Sequence, residues 1–344
     1  MKADGVNHLN TGLMLLSLAA AFVLPFELFL FAYAVLGPLH YLTEISWLSE
    51  RGFFTQKKSD WILLATVCLC VLLGQRVILG DFHVPLFRVL NPELVLGALG
   101  LALILATVKG SVERALSVLA LIALIVSIHG LPARVLIFGL YVPTLVHVIL
   151  FTGAFILFGA LKTKSVAGYL SFAVFIACLV TALAVTPAAV RPATSDLVMM
   201  SYRSFAPVNV SLAHNLGFVS EFQPAPAVDS MFHPFGSFTD IYNSAAGVRV
   251  MRCIAFAYTY HYLNWFSKTS IIGWHKVPKA RIAIMVAIWV ASIALFVFDY
   301  MTGVKWLYFL SFLHVMLEFP LNHLSFIGIG KELVARVSRT ASAR

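Results

Sequence analysis

The stretch WLYFLSFLHVMLEFPLNHLSFIGI, residues 306–329, is apolar over the length of a bilayer and carries His314, Glu318, Asn322 and His323 within it. A spanning helix needs about 20 predominantly apolar residues, so this segment is expected to cross a membrane. Polar side chains at that depth are expensive in hydrocarbon and face a protein interior, a cavity or a metal. The segment therefore predicts a helix inside a bundle whose centre is polar.

The rest of the chain repeats that pattern. Apolar residues make up 60% of it and charged residues 11%, with mean hydropathy +0.92. Soluble domains carry about 25% charged residues. Further spans are expected at 61–78, 94–108, 115–128, 135–161, 166–185, 248–266 and 282–300. The N-terminal region reads either as two helices, 9–24 and 26–48, or as one Pro-kinked span over 11–37. The expected fold is an all-α transmembrane bundle of nine or ten spans. It forms a single integral membrane domain over 1–344, with 186–247 an ordered extramembrane cap. The first apolar run lacks a basic leader and a cleavage site, so it is expected to be retained. Cys68, Cys70, Cys178 and Cys253 lie in apolar runs at spacings that fit neither zinc motifs nor disulfide frameworks, and read as buried small residues.

The net charge of +9 is spread between apolar segments rather than gathered in one patch, which argues against nucleic acid as a partner. Fifteen of the 24 Lys and Arg fall on one side of the alternating spans, in 51–58, 109–114, 162–164, 268–281 and the C-terminal tail. The positive-inside rule makes that side cytoplasmic.

Three other spans carry a histidine. His40 sits in GPLHYLTEISWL, residues 37–48, with Glu44 four residues on and on the same helical face if the helix resumes after Gly37-Pro38. His147 follows Pro143, which cannot donate to the Gly139 carbonyl and is expected to bend its helix. His261 lies in FAYTYHYLNWF with Tyr258 and Trp265 on its face. His314 repeats the His-x3-Glu spacing with Glu318. With two N-terminal helices, all four imidazoles lie roughly 12 to 21 Å below the outer boundary at about 1.5 Å per residue. They are expected to form one site. Imidazole is the commonest protein metal ligand. A carboxylate on the second ring nitrogen fixes the tautomer of a metal-bound histidine, the role expected of Glu44 and Glu318.

These motifs resemble the bacterial β-carotene 15,15′-dioxygenase (Brp/Blh) family. The Gly37-Pro38-Leu39-His40 bend with Glu44 is similar to the family's first motif, with Glu in place of Asp. Leu313-His314-Val315-Met316-Leu317 is similar to a late motif, and His147 stands for an inner histidine. Where the family has two histidines four apart, this chain has His261 and Trp265, and His323 is the candidate for the missing ligand. The resemblance implies Fe(II) held by histidines in a bacterial inner-membrane protein, with O2 and a carotenoid or isoprenoid as co-substrates. The expected site thus comprises His40, His147, His261, His314 and His323 as metal candidates, with Glu44, Glu318 and Tyr258 as catalytic candidates. The competing reading is a proton- or ion-coupled transporter that uses the same His and Glu residues.

The charge asymmetry predicts that cysteines placed in 268–281 or after residue 331 label only from the cytoplasmic side, and cysteines within 196–215 only from outside. Labelling of 196–215 from the cytoplasm would reverse the orientation.

Overall fold

A computed structural model describes residues 3–187, 195–218, 241–242, 244–268, 273 and 276–342. Among these every regular element is helical. The principal helices are α1 (Ala3–Val23), α2 (Pro25–Ser49), α3 (Trp61–Leu73), α4 (Asn91–Thr107), α5 (Ser111–Ile128), α6 (Ala133–Thr163), α7 (Val166–Ala184), α8 (Asp196–Tyr202), α9 (Ala206–Asn215), α10 (Ala245–Ser267), α11 (Lys279–Phe298) and α12 (Tyr300–Ser342). Seven of them are long and apolar enough to cross a bilayer: α1, α2, α5, α6, α7, α11 and α12. α3 and α4 are apolar but shorter. α10 is long, and Arg249, Arg252 and a run of Tyr, His and Asn lower its hydropathy.

The two-helix reading of the N-terminus matches what forms. α1 ends at Val23, Leu24 leaves the helical region at φ −137°, and Pro25 opens α2, where its missing N–H costs nothing. The expected cap coincides in part with α8 and α9, each a short helix. Its remaining positions 188–194, 219–240 and 243, like Trp274 and His275, lie outside the described residues.

Exposure runs opposite to that of a soluble protein. α5 buries no residue, and Leu116, Leu119 and Val126 are 61%, 62% and 68% exposed. Buried positions include His40, Glu44, His147, Asn209, His314, Glu318 and Asn322. A bare aliphatic surface over a polar interior is stable only where the surrounding solvent is hydrocarbon. The chain is therefore a helical membrane protein.

The helices divide into two compact units, residues 1–36 with 170–268, and residues 37–169 with 269–344. In the first, α10 packs on α1, α9 and the start of α2. Ser195 and Ser244 cap α8 and α10 by accepting the N–H of Val198 and Gly247. Phe29 packs edge to face on Tyr202, Phe205 and Tyr258, Phe26 does so on Tyr202, and Tyr33 on Phe205. Buried Asn10 accepts from Tyr260 (3.3 Å) and Ser267 (3.0 Å), which satisfies the amide oxygen without water. Arg249 and Arg252 donate to the Leu183 and Val185 carbonyls at the end of α7, where a helix terminus favours a cation.

In the second unit α12 is the centre, packed on α3, α4, α6, α11 and the 37–49 half of α2. The apolar core joins Leu48, Leu64, Val95, Leu105, Phe151, Phe312 and Phe319. α11 and α12 form a tight hairpin. Asp299 caps α12 by accepting the Thr302 N–H (3.2 Å), and Trp306 donates to buried Ser292 (2.7 Å). A Cβ at Gly303 would overlap the backbone of Leu295 and Phe296. Gly303→Val should therefore destabilise the protein by about 1–3 kcal/mol, the usual cost of overpacking. Thermal unfolding in detergent checks this; an unchanged Tm would show that the two helices can part freely.

Candidate metal centre

Two of the helices that carry the site are wound as π-helix just before or around their histidine. Ala32–Leu36 is π-helical immediately upstream of Gly37-Pro38, and Ile137–Phe151 is π-helical around Pro143 and His147. The cause is local. Proline lacks an N–H and its ring collides with the carbonyl four residues back, here Ala34 and Gly139. Widening the turn accommodates both, and π turns are frequent at functional sites. The helix is therefore rewound next to His40 rather than interrupted, and α2 runs on to Ser49.

The second unit brings three histidines together. His40, His147 and His314 are 1–2% exposed. Each offers a ring nitrogen, and these atoms lie within 4.8 Å of one another. His147 Nε2 and His314 Nε2 are 3.1 Å apart, with ring centroids 4.9 Å apart and planes at 81°. The His40 ring lies 5.3 Å from that of His314 at 79°.

Carboxylates stand against two of these rings, and on His147 the carboxylate takes the nitrogen opposite the His314 contact. Glu318 Oε2 is 3.2 Å from His147 Nδ1, and Glu44 Oε2 is 3.1 Å from His40 Nε2. Both are close contacts rather than aligned hydrogen bonds. A carboxylate beside one ring nitrogen favours the proton there and frees the other nitrogen's lone pair. That leaves Nε2 of His147 and Nδ1 of His40 as donor atoms. The Glu44 contact follows the expected i,i+4 spacing. Glu318 reaches across to α6 and His147, a pairing that the spacing from His314 does not reveal.

The donor set fits a metal. Two nitrogens each about 2.0–2.2 Å from one ion are about 2.8–3.6 Å apart at right-angled to tetrahedral bond angles. The 3.1 Å separation of His147 and His314 falls in that interval. Elsewhere in this unit buried carboxylates take arginine: Arg114 grips Asp60 with two bonds (3.1 and 2.9 Å), and Arg134 donates to Glu93 (2.6 Å). Glu44 and Glu318 face imidazoles instead.

Tyr41 was not among the expected site residues. Its ring stacks on His314 at 4.2 Å and 24°. It has room because position 37 is glycine; a Cβ there would lie 2.9 Å from Tyr41 Oη. Gly37 thus serves the stack four residues on as well as the turn at Pro38.

His261 and Tyr258 are on α10 in the first unit, where His261 is buried against Tyr262 and Tyr258 packs on Phe29. His323 turns away from the cluster. Its Nε2 contacts the Leu99 carbonyl on α4 at 2.8 Å, so it serves as an interhelical hydrogen-bond donor rather than the missing ligand. The half-turn offset from His314 already placed it on another face.

No family model, curated protein or solved structure matches the chain. The site is therefore read from its own geometry.

His323→Ala should cost about 1 kcal/mol of stability through the lost bond to Leu99. Its metal content, measured by elemental analysis of purified protein, should equal that of the unaltered chain. Loss of metal would return His323 to the ligand set.

Proposed function

We propose that this protein is a membrane-embedded, histidine-ligated non-haem iron oxygenase acting on a lipophilic carotenoid or isoprenoid substrate. The observation that carries the reading is the buried meeting of His147 and His314 at 3.1 Å, with Glu318 behind His147. His261, buried in α10, is assigned as a fourth ligand beside His40, His147 and His314. Neutral imidazoles with open positions suit ferrous iron, which when bound supplies the activation of O2.

The chain's own residues do the rest. Glu44 and Glu318 hold the ring orientation and tautomer of His40 and His147. Two carboxylates also balance a divalent cation, so the filled site is electrically neutral in a low-dielectric interior. Tyr41 braces His314 by stacking. Tyr258, on the face of α10 that carries His261, is the candidate phenol on the substrate side. The apolar surroundings keep bulk water from the centre and admit O2 and a hydrocarbon chain. The reading agrees with the motif resemblance and with β-carotene as one substrate to test, while Trp265 in place of a histidine leaves the substrate range open.

A second reading has an observation of its own. His40–Glu44 and His147–Glu318 are imidazole–carboxylate contacts, and His147 and His314 connect to each other. Such a series is also what a proton- or ion-coupled transporter needs.

Elemental analysis of detergent-purified protein should find iron, with no Soret band. His147→Ala and His314→Ala should each lose it, and His261→Ala should weaken it. Glu318→Gln should retain iron with affinity or activity reduced about 10–100-fold. Expression in a carotenoid-producing host should alter the pigment in a histidine-dependent way. Unchanged metal content in all of the His40, His147, His261 and His314 variants would end the oxygenase reading and leave the transporter.

A further inference from the structure

Asn322 is 2% exposed, and neither its Nδ2 nor its Oδ1 has a hydrogen-bond partner among the described residues. Its polar neighbours on α12 are engaged: His323 with Leu99, and Ser325 with the Leu321 carbonyl. Leaving a buried polar group unpaired costs about 1–3 kcal/mol, and most such groups in folded proteins have a partner. Leucine at this position would avoid the cost. The amide therefore calls for a ligand.

Its surroundings define which. Asn322 is one turn beyond Glu318 on α12, as Phe151 is one turn beyond His147 on α6. Phe151 contacts Phe319 and Phe326 at ring-centroid distances of 6.3 and 6.0 Å. Those two residues lie three before and four after Asn322, so Phe151 packs opposite the helix face on which Asn322 sits. The amide thus shares its helix face with Phe319 and Phe326, across from Phe151 and one turn from Glu318. Phe326 is 39% exposed and opens this wall toward the lipid.

A side-chain amide presents a donor and an acceptor side by side, and a hydroxyl both accepts and donates. Aromatic walls do not solvate a charged group. They also offer little to a lone water, which needs two to four polar partners to remain buried. They do suit a hydrocarbon tail attached to a hydroxyl.

We infer that Asn322 anchors the hydroxyl group of a lipophilic alcohol, held between Phe151, Phe319 and Phe326 beside the metal centre. This rests on the oxygenase reading for its account of why an isoprenoid should be there, and it narrows the substrate class to hydroxylated isoprenoids. The amide then sets where along the chain the substrate meets the histidines.

Binding of geranylgeraniol and of its methyl ether to the full-length protein in detergent, followed by calorimetry, tests this. The alcohol should bind about 10-fold more tightly than the ether, which can accept from the amide but cannot donate to Asn322 Oδ1. Asn322→Leu should bind both alike, with a Tm equal to or above that of the unaltered protein. Equal binding of the two probes to the native protein, or no binding of either, would overturn the inference even if the variant did not fold. So would a variant that kept the preference, because Asn322 would then be an unpaired group or hold an adventitious water only. Metal content on the same samples separates the two readings. A preference for the alcohol in protein that holds no iron would sink the oxygenase while leaving the anchor standing. Iron without the preference would sink the anchor alone.

Discussion

The contact between His147 and His314 constrains the second unit more than any other. Two imidazole nitrogens 3.1 Å apart repel if both carry protons and attract only through one shared proton or one common ion. In hydrocarbon there is no water to intervene, so the surrounding helices must hold whichever arrangement neutralises the pair. α6 and α12 approach closely enough to create the contact, and Glu318 sits on the outer nitrogen of His147 to hold it. The apolar core of this unit, from Leu64 to Phe319, packs around those same two helices.

Proline and glycine make that approach possible. Pro143 widens the turn one step before His147, and Pro38 does the same in α2 two residues before His40. A regular α-helix would carry each histidine round by a different angle. The rewinding costs backbone hydrogen bonds, which neighbouring turns recover by bonding one residue further along. Gly37 leaves the space into which Tyr41 leans on its way to His314. These small residues act on the site at one remove, through the position of a ring.

Much of this was legible in the sequence, for a physical reason. A bilayer imposes one length and one polarity on its helices, so apolar runs of about 20 residues separated by basic loops report the elements directly. The histidines stood out against that background for the same reason, and the His40–Glu44 contact followed from helical periodicity. What could not be read was lateral. Which face of α6 meets which face of α12 depends on ridge packing and on the π winding at Pro143, and neither leaves a period in the sequence. Hence Glu318 was legible as a buried carboxylate needing a partner but not as the partner of His147. Tyr41 was hidden because an aromatic residue beside a histidine is ordinary in a membrane helix. His323 was over-read from its proximity to His314, although a nine-residue separation turns it toward α4 and Leu99.

The two chemistries proposed for the site ask different things of the residues around it. A transport path works best when its titrating groups exchange protons with water on both sides, which calls for polar residues continuing away from the centre. On α12 the residues that continue beyond Glu318 are Phe319, Pro320, Leu321 and Asn322, with Phe326 a turn later, and Phe151 closes over them. The rings form an aromatic wall there, with Asn322, and His323 and Ser325 bonded to backbone carbonyls, as its polar residues. Around an ion the same features become useful, since a dry wall preserves the strength of every charge inside it and keeps reactive species from water.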